Sequence, residues 1–128
     1  MIITLSLNLA QRAALLRALD TNKEQGIGIG RTIRTLRRDF KLSEGTKAAD
    51  ELVKGEAAKG PVNVWEVLLE AEDRPQEFTV EEAHLRWLRD RLDKGDAGLT
   101  SPSALVEIVI DLHDAISDAL AKNSKAVN

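Results

Sequence analysis

Apolar and polar positions alternate at the amino terminus, with Ile3, Leu5 and Leu7 set against Ile2, Thr4 and Ser6. That period of two predicts a short, half-buried strand. Asn8 with Gln11 three residues later predicts a capping box. The stretch "LAQRAALLRALD" then reads as a helix with Leu9, Ala13, Leu16 and Leu19 turned inward and Leu15 widening the stripe. "TNKEQGIGIG" reads as a loop, because alternating glycines are costly to order in any regular element. From Gly30 to about Lys41 a second helix is expected. Ile29, Ile33, Leu36 and Phe40 fall on one side of it, Arg31, Arg34 and Arg38 on the opposite side, and Arg37 on a flank.

Ser43 is the expected cap of a third helix, "EGTKAADELVKGEA", whose apolar edge is Ala48, Leu52 and Val53. After a break at Gly60 and Pro61, "VNVWEVLLEAED" carries two conflicting signals. Asn63 with Glu66 suits a helix cap, whereas Val62, Val64 and Val67 favour an extended chain. The valines decide the expectation of extended structure over about 62–79. Thr79 with Glu82 then predicts a capped helix with Leu85, Leu88 and Leu92 inward and Gly95 as its stop. Ser101 and Pro102 open a final helix of about 20 residues. Its core face is Leu105, Ile108, Val109, Leu112, Ile116, Ala119 and Leu120. The expected architecture is mainly α: a four-to-five-helix domain over 1–121 with a short N-terminal strand paired to the segment near 62–79. A tail over 122–128 completes it.

Composition narrows the chemistry. The chain of 128 residues has no cysteine, which removes disulfides, thiolate metal sites and cysteine nucleophiles. With two Trp and two Phe, the core must be largely aliphatic. No apolar run approaches the ~20 residues that span a bilayer, and "MIITLSLNLAQR" has no basic stretch before a cleavage site. These features predict a cytoplasmic protein without a membrane segment. The net charge of −3 is polarised: residues 1–40 hold seven Lys/Arg against three Asp/Glu, and the remainder eleven against eighteen. A basic surface is therefore compatible with an acidic chain.

The glycines match neither phosphate-binding fingerprint. A P-loop needs four residues between its glycines and then Gly-Lys-Ser/Thr, whereas Gly26, Gly28 and Gly30 alternate and lead into Arg31 and Thr32. A dinucleotide site needs G-x-G-x-x-G inside a βαβ unit. The helix start with Arg31 and Arg34 leaves room for a looser anion site. The arginine face itself has three readings: a solvated surface, contact with an acidic protein, or tracking of a nucleic-acid backbone. Missing aromatics and scarce Asn or Gln weigh against the last. On the final helix Glu107, Asp111, Asp114 and Asp118 recur at 4, 3 and 4, forming one acidic line opposite the core face. Carboxylates along one straight helix seldom converge on an ion, so the expectation is a solvated row or a dock for a basic partner, including a neighbouring copy. His84 and His113 lack any motif partner and read as boundary residues. Trp87 falls off the stripe of Leu85, Leu88 and Leu92, so it either packs beneath the extended segment or anchors a partner.

"LSLNLAQRAALLRAL", "IGRTIRTLRRDFKLSE", the lone Trp65 and "EFTVEEAHLRWLRDRLDKGDAGLT" follow one another along most of the chain. In this order they resemble a group of small helical proteins encoded in phage and prophage genomes. The Gly-rich loop and the longer final helix depart from that group. The resemblance implies phage or prophage origin and assigns no activity or residue roles. The expectation is a non-enzymatic protein–protein interaction module, an accessory or assembly factor or an inhibitor of a host component. It would have no cofactor, metal or catalytic residue. The candidate contacts are Arg31, Arg34, Arg37, Arg38, Trp87, Glu107, Asp111, Asp114 and Asp118. Nucleic-acid binding through residues 30–41 is the alternative, and a homo-oligomer is a further possibility.

Overall fold

A computed structural model describes residues 1–20, 26–71, 73–93 and 103–127. In chain order it contains β1 (Ile2–Leu7), α1 (Leu9–Asp20), α2 (Ile27–Asp39), α3 (Leu42–Ala57), α4 (Val64–Glu70), β2 (Gln76–Glu81), α5 (Glu82–Asp93) and α6 (Ser103–Val127). The fold is mainly helical, with a two-stranded antiparallel sheet. The expected strand pairing is present: Ile3 lies opposite Val80 and Leu5 opposite Phe78, all four side chains buried. One face of the ribbon thus enters the core, and β2 closes onto the amino terminus from 69 to 79 residues away (Leu7 to Gln76, Ile2 to Glu81). The helix α6 runs along β1, while α2 and α5 flank β2.

The helix α1 is central, packed against α3, α4 and α6. Its reciprocal cap is formed: Asn8 N donates to Gln11 Oε1 and Gln11 N to Asn8 Oδ1, each at 2.8 Å. Its buried face differs from the expected one. Ala10, Ala14, Leu15, Ala18 and Leu19 are buried together with Arg12, whereas Leu9, Ala13 and Leu16 are only half-buried. Apolar residues occupy nearly every side of this helix, so periodicity did not fix its orientation. The alanines decide it, because small side chains let neighbouring helices approach closely.

Further expectations are corrected. Ile27, Gly28, Ile29 and Gly30 form the first turn of α2 rather than a loop. Once residues from Thr32 onward are packed, extending the helix backward adds one hydrogen bond per residue, which offsets the glycine cost of about 1 kcal/mol each. Gly30 N accordingly donates to Gly26 O at 3.0 Å. Ile29, expected inside, is 37% exposed because this turn stands clear of the body. Ser43 lies within α3, which starts at Leu42 and buries Leu42, Gly45 and Ala49 in place of the expected edge. Residues 64–70 are helical, not extended: Asn63 Oδ1 accepts from Trp65 N at 3.0 Å and Glu66 N at 3.2 Å. That cap, with Leu68 buried and Trp65 and Leu69 packed on the core, outweighs the valines, of which Val62 and Val64 are exposed. Thr79 sits opposite Thr4 in the ladder instead of capping α5, which follows β2 without a break. The expected stop at Gly95 and the start at Ser101 and Pro102 lie outside the described residues. The helix α6 buries Leu105, Ile108, Val109, Leu112, Ile116 and Leu120 as expected, leaves Ala119 half-buried, and runs on through residues read as tail.

Candidate functional site

The helix α2 is joined to the body by a corner. Its chain ends at Asp39, buries Phe40, turns through Lys41 in a left-handed conformation (φ 48°, ψ 51°) and enters α3 at once. A left-handed lysine is strained by about 1 kcal/mol or more, so something must hold it. That role falls to Arg12, a residue the sequence reading passed over. Arg12 is 5% exposed. Its Nε donates to Phe40 O at 3.1 Å and its Nη2 to Lys41 O at 2.5 Å.

The guanidinium lies 4.9 Å from the centre of the Phe78 ring, which meets Phe40 edge-on with centroids 5.6 Å apart. On its other side is Gly45, where a Cβ would come within 2.9 Å of Arg12 Cζ. Burial lowers the Arg12 pKa from its ordinary value, and the nearby carboxylates of Glu44 and Asp73 oppose that shift. The Arg12 guanidinium sits against the carbonyl end of α2, the end whose dipole attracts cations. Arg91, 6% exposed, acts similarly for α1: its Nε donates to Ala18 O at 3.2 Å and its guanidinium lies 5.1 Å over the Trp87 ring.

The sequence-predicted arginines divide cleanly from these two. Ile33, Leu36 and Phe40 are buried, and Arg31, Arg34, Arg37 and Arg38 are exposed on the other side of α2. No carboxylate of the described residues lies within 4 Å of Arg31 or Arg34. Arg38 touches only the adjacent Asp39, Nε to Oδ1 at 3.4 Å, and its side chain is 76% exposed. Ile27, 77% exposed, stands four residues before Arg31 and so continues the same row. A Cβ on Gly26, Gly28 or Gly30 would meet nothing within 4 Å. The amino-terminal half of α2 is thus a projecting ridge with guanidinium groups along it and an isoleucine at its tip.

The acidic row is equally outward. Glu107, Asp111, Asp114 and Asp118 are all exposed, with Ile110 (53% exposed) on their flank. Asp114 Oδ1 comes to 3.9 Å of His113 Nδ1. The row does not converge, and among the described residues no group of three or more His, Asp or Glu is placed to hold a metal ion. Arg31, Arg34 and Arg38 form no ion pair with Glu107, Asp111, Asp114 or Asp118 among the described residues.

Trp87 is half-buried against the core, and Arg91 covers one face of its ring. It is therefore placed as packing rather than as a free anchor. His84 and His113 are half-buried boundary residues. Asp93 Oδ1 approaches His113 Nε2 to 2.6 Å, but off the line along which the ring N–H would donate. That contact is an ion pair only when the imidazole is protonated.

A cleft of about 340 Å³ is an open trough between the sheet's outer face and α6, lined by Thr4, Ser6, Glu77, Ala115, Asp118 and Lys122 among others. No helix among the described residues is long and apolar enough to cross a membrane. No protein-family model matches the chain, and neither the curated proteins nor the solved structures contain a match to it.

Proposed function

We propose that the protein is a non-enzymatic interaction module whose α2 ridge takes an acidic, partly apolar protein surface. The observation that carries this reading is Ile27 standing in line with Arg31 and Arg34, exposed and, among the described residues, with no carboxylate near either arginine. Exposed isoleucine beside unpaired guanidinium suits a protein interface, where apolar contact and charge are combined. A nucleic-acid backbone would use the arginines and leave the isoleucine in water. The net charge of −3 and the absence of an aromatic on this face favour the same choice. The likeness of residues 5–19, 29–44 and 77–100 to phage and prophage proteins bears on origin alone, and a cytoplasmic accessory, assembly or inhibitory role is proposed from the interaction face.

The test is a pull-down from bacterial lysate, with and without nuclease, using the wild type and an Arg31→Glu/Arg34→Glu/Arg38→Glu variant. Salt-sensitive capture that survives nuclease and is lost in the variant is the expected result. Capture that ignores the arginines ends the proposal, and capture abolished by nuclease transfers the face to nucleic acid.

A further inference from the structure

The basic ridge on α2 has a counterpart on the same molecule. Arg31, Arg34 and Arg38 follow one another at intervals of 3 and 4, and Asp111, Asp114 and Asp118 at the same intervals. Both rows are exposed, both belong to helices whose opposite sides are buried in the core, and they are not paired with each other within the chain. Each also carries an exposed isoleucine, Ile27 on the basic row and Ile110 beside the acidic one. We infer that the partner of the α2 ridge is a second copy of this chain, docked so that its Asp111, Asp114 and Asp118 receive Arg31, Arg34 and Arg38. This inference rests on the reading of α2 as a protein-binding face.

The isoleucines set the direction. With the two helices parallel, Arg31 meets Asp111, Arg38 meets Asp118, and Ile27 falls within one turn of Ile110. With them antiparallel, Ile27 falls opposite Lys122, and a lysine is brought beside the arginines. Parallel alignment therefore matches the 3 and 4 intervals cation to anion, with Ile27 over Glu107 and Ile110 one turn along.

The contact is head-to-tail: one copy gives α2, the other α6, and each keeps its second row free. Such an interface propagates unless its rotation closes a ring. It also responds strongly to salt, because exposed ion pairs are individually weak and screened.

Two neutralised variants separate this arrangement from all others. One carries Arg31→Gln/Arg34→Gln/Arg38→Gln, the other Asp111→Asn/Asp114→Asn/Asp118→Asn. All six positions are exposed, and circular dichroism verifies that both variants fold. Sedimentation at roughly 0.01 M salt, where charges are felt over about 30 Å, should show the wild type rising above monomer mass with concentration. At roughly 1 M salt, where the range is about 3 Å, it should return to monomer. Each variant alone should remain monomeric, and their mixture should form a 1:1 dimer that grows no further.

A wild type that stays monomeric at low salt overturns the inference, and so does a mixture that stays monomeric. If the arginine-dependent, nuclease-resistant capture described above persists in either case, the binding face stands and only the second copy is removed as its occupant. If that capture fails as well, both are lost. Because the chain has no cysteine, an Ile27→Cys protein mixed with an Ile110→Cys protein reads the register. Their mixed disulfide is expected, and a disulfide between Ile27→Cys and Lys122→Cys in its place overturns the parallel alignment.

Discussion

Replacing Arg12 with methionine keeps the length and bulk of the stem while removing the guanidinium. Phe40 O, within the buried corner, then loses the donor at 3.1 Å, at a cost of about 1–3 kcal/mol for a buried acceptor left without a partner. Lys41 O keeps its bond from Gly45 N at 3.1 Å, so losing Arg12 Nη2 there removes only a charge-assisted bond, about 1.5 kcal/mol. The cation–π contact with Phe78 adds about 1 kcal/mol. Against these losses stands relief from desolvating a cation, together with the apolar burial of the thioether. Replacing a buried ion pair by apolar groups is often neutral because both charges leave together. Here the acceptors are backbone carbonyls, which remain.

The net expectation is a loss of about 2–4 kcal/mol, a large part of the ~5–15 kcal/mol that holds a domain of this size. Urea unfolding would show a midpoint lowered by roughly 1–2 M. Amide exchange at Ile33 and Leu36 should accelerate more than exchange in α6, because the α2 corner opens first. Arg12→Lys should recover less than half of the loss, since one ammonium on a shorter stem cannot span both carbonyls. A methionine variant within about 0.5 kcal/mol of wild type, the usual size of an ordinary surface substitution, would refute the assignment of the corner to Arg12.

Gly45→Ala tests the same pocket from the other side. A methyl 2.9 Å from Arg12 Cζ should destabilise by about 1–2 kcal/mol through overpacking, despite the helix-propensity gain. In the Arg12→Met background the penalty should vanish, which a double-mutant cycle reads directly. Gly28→Ala with Gly30→Ala, where a Cβ meets open space, should raise stability by about 0.5–1 kcal/mol per site in thermal unfolding. Asn63→Ala removes both cap bonds of α4 and should cost about 1 kcal/mol by urea titration. Unchanged stability there would mean that packing of Leu68 alone holds the turn.

What the sequence determined by itself was local and periodic. The alternation of Ile3, Leu5 and Leu7 placed β1, and Asn8 with Gln11 placed the start of α1. The spacing of Ile33, Leu36 and Phe40 fixed which way the arginines of α2 face, and the long stripe of α6 fixed its core side. In each case the deciding neighbours lie within two turns of helix or one strand, so the pattern contains the answer. The candidate surface was legible for this reason: a row of arginines opposite a buried stripe can only point outward.

The tertiary structure decided the rest. Helix or strand at Val64 depended on whether Leu68, Trp65 and Leu69 find the core together. The burial of Arg12 and Arg91 depended on carbonyls 28 and 73 residues away along the chain. No composition or period separates those two from the arginines on the surface. A charge can be buried only where the fold brings acceptors to it, and where those acceptors come from is a property of three dimensions.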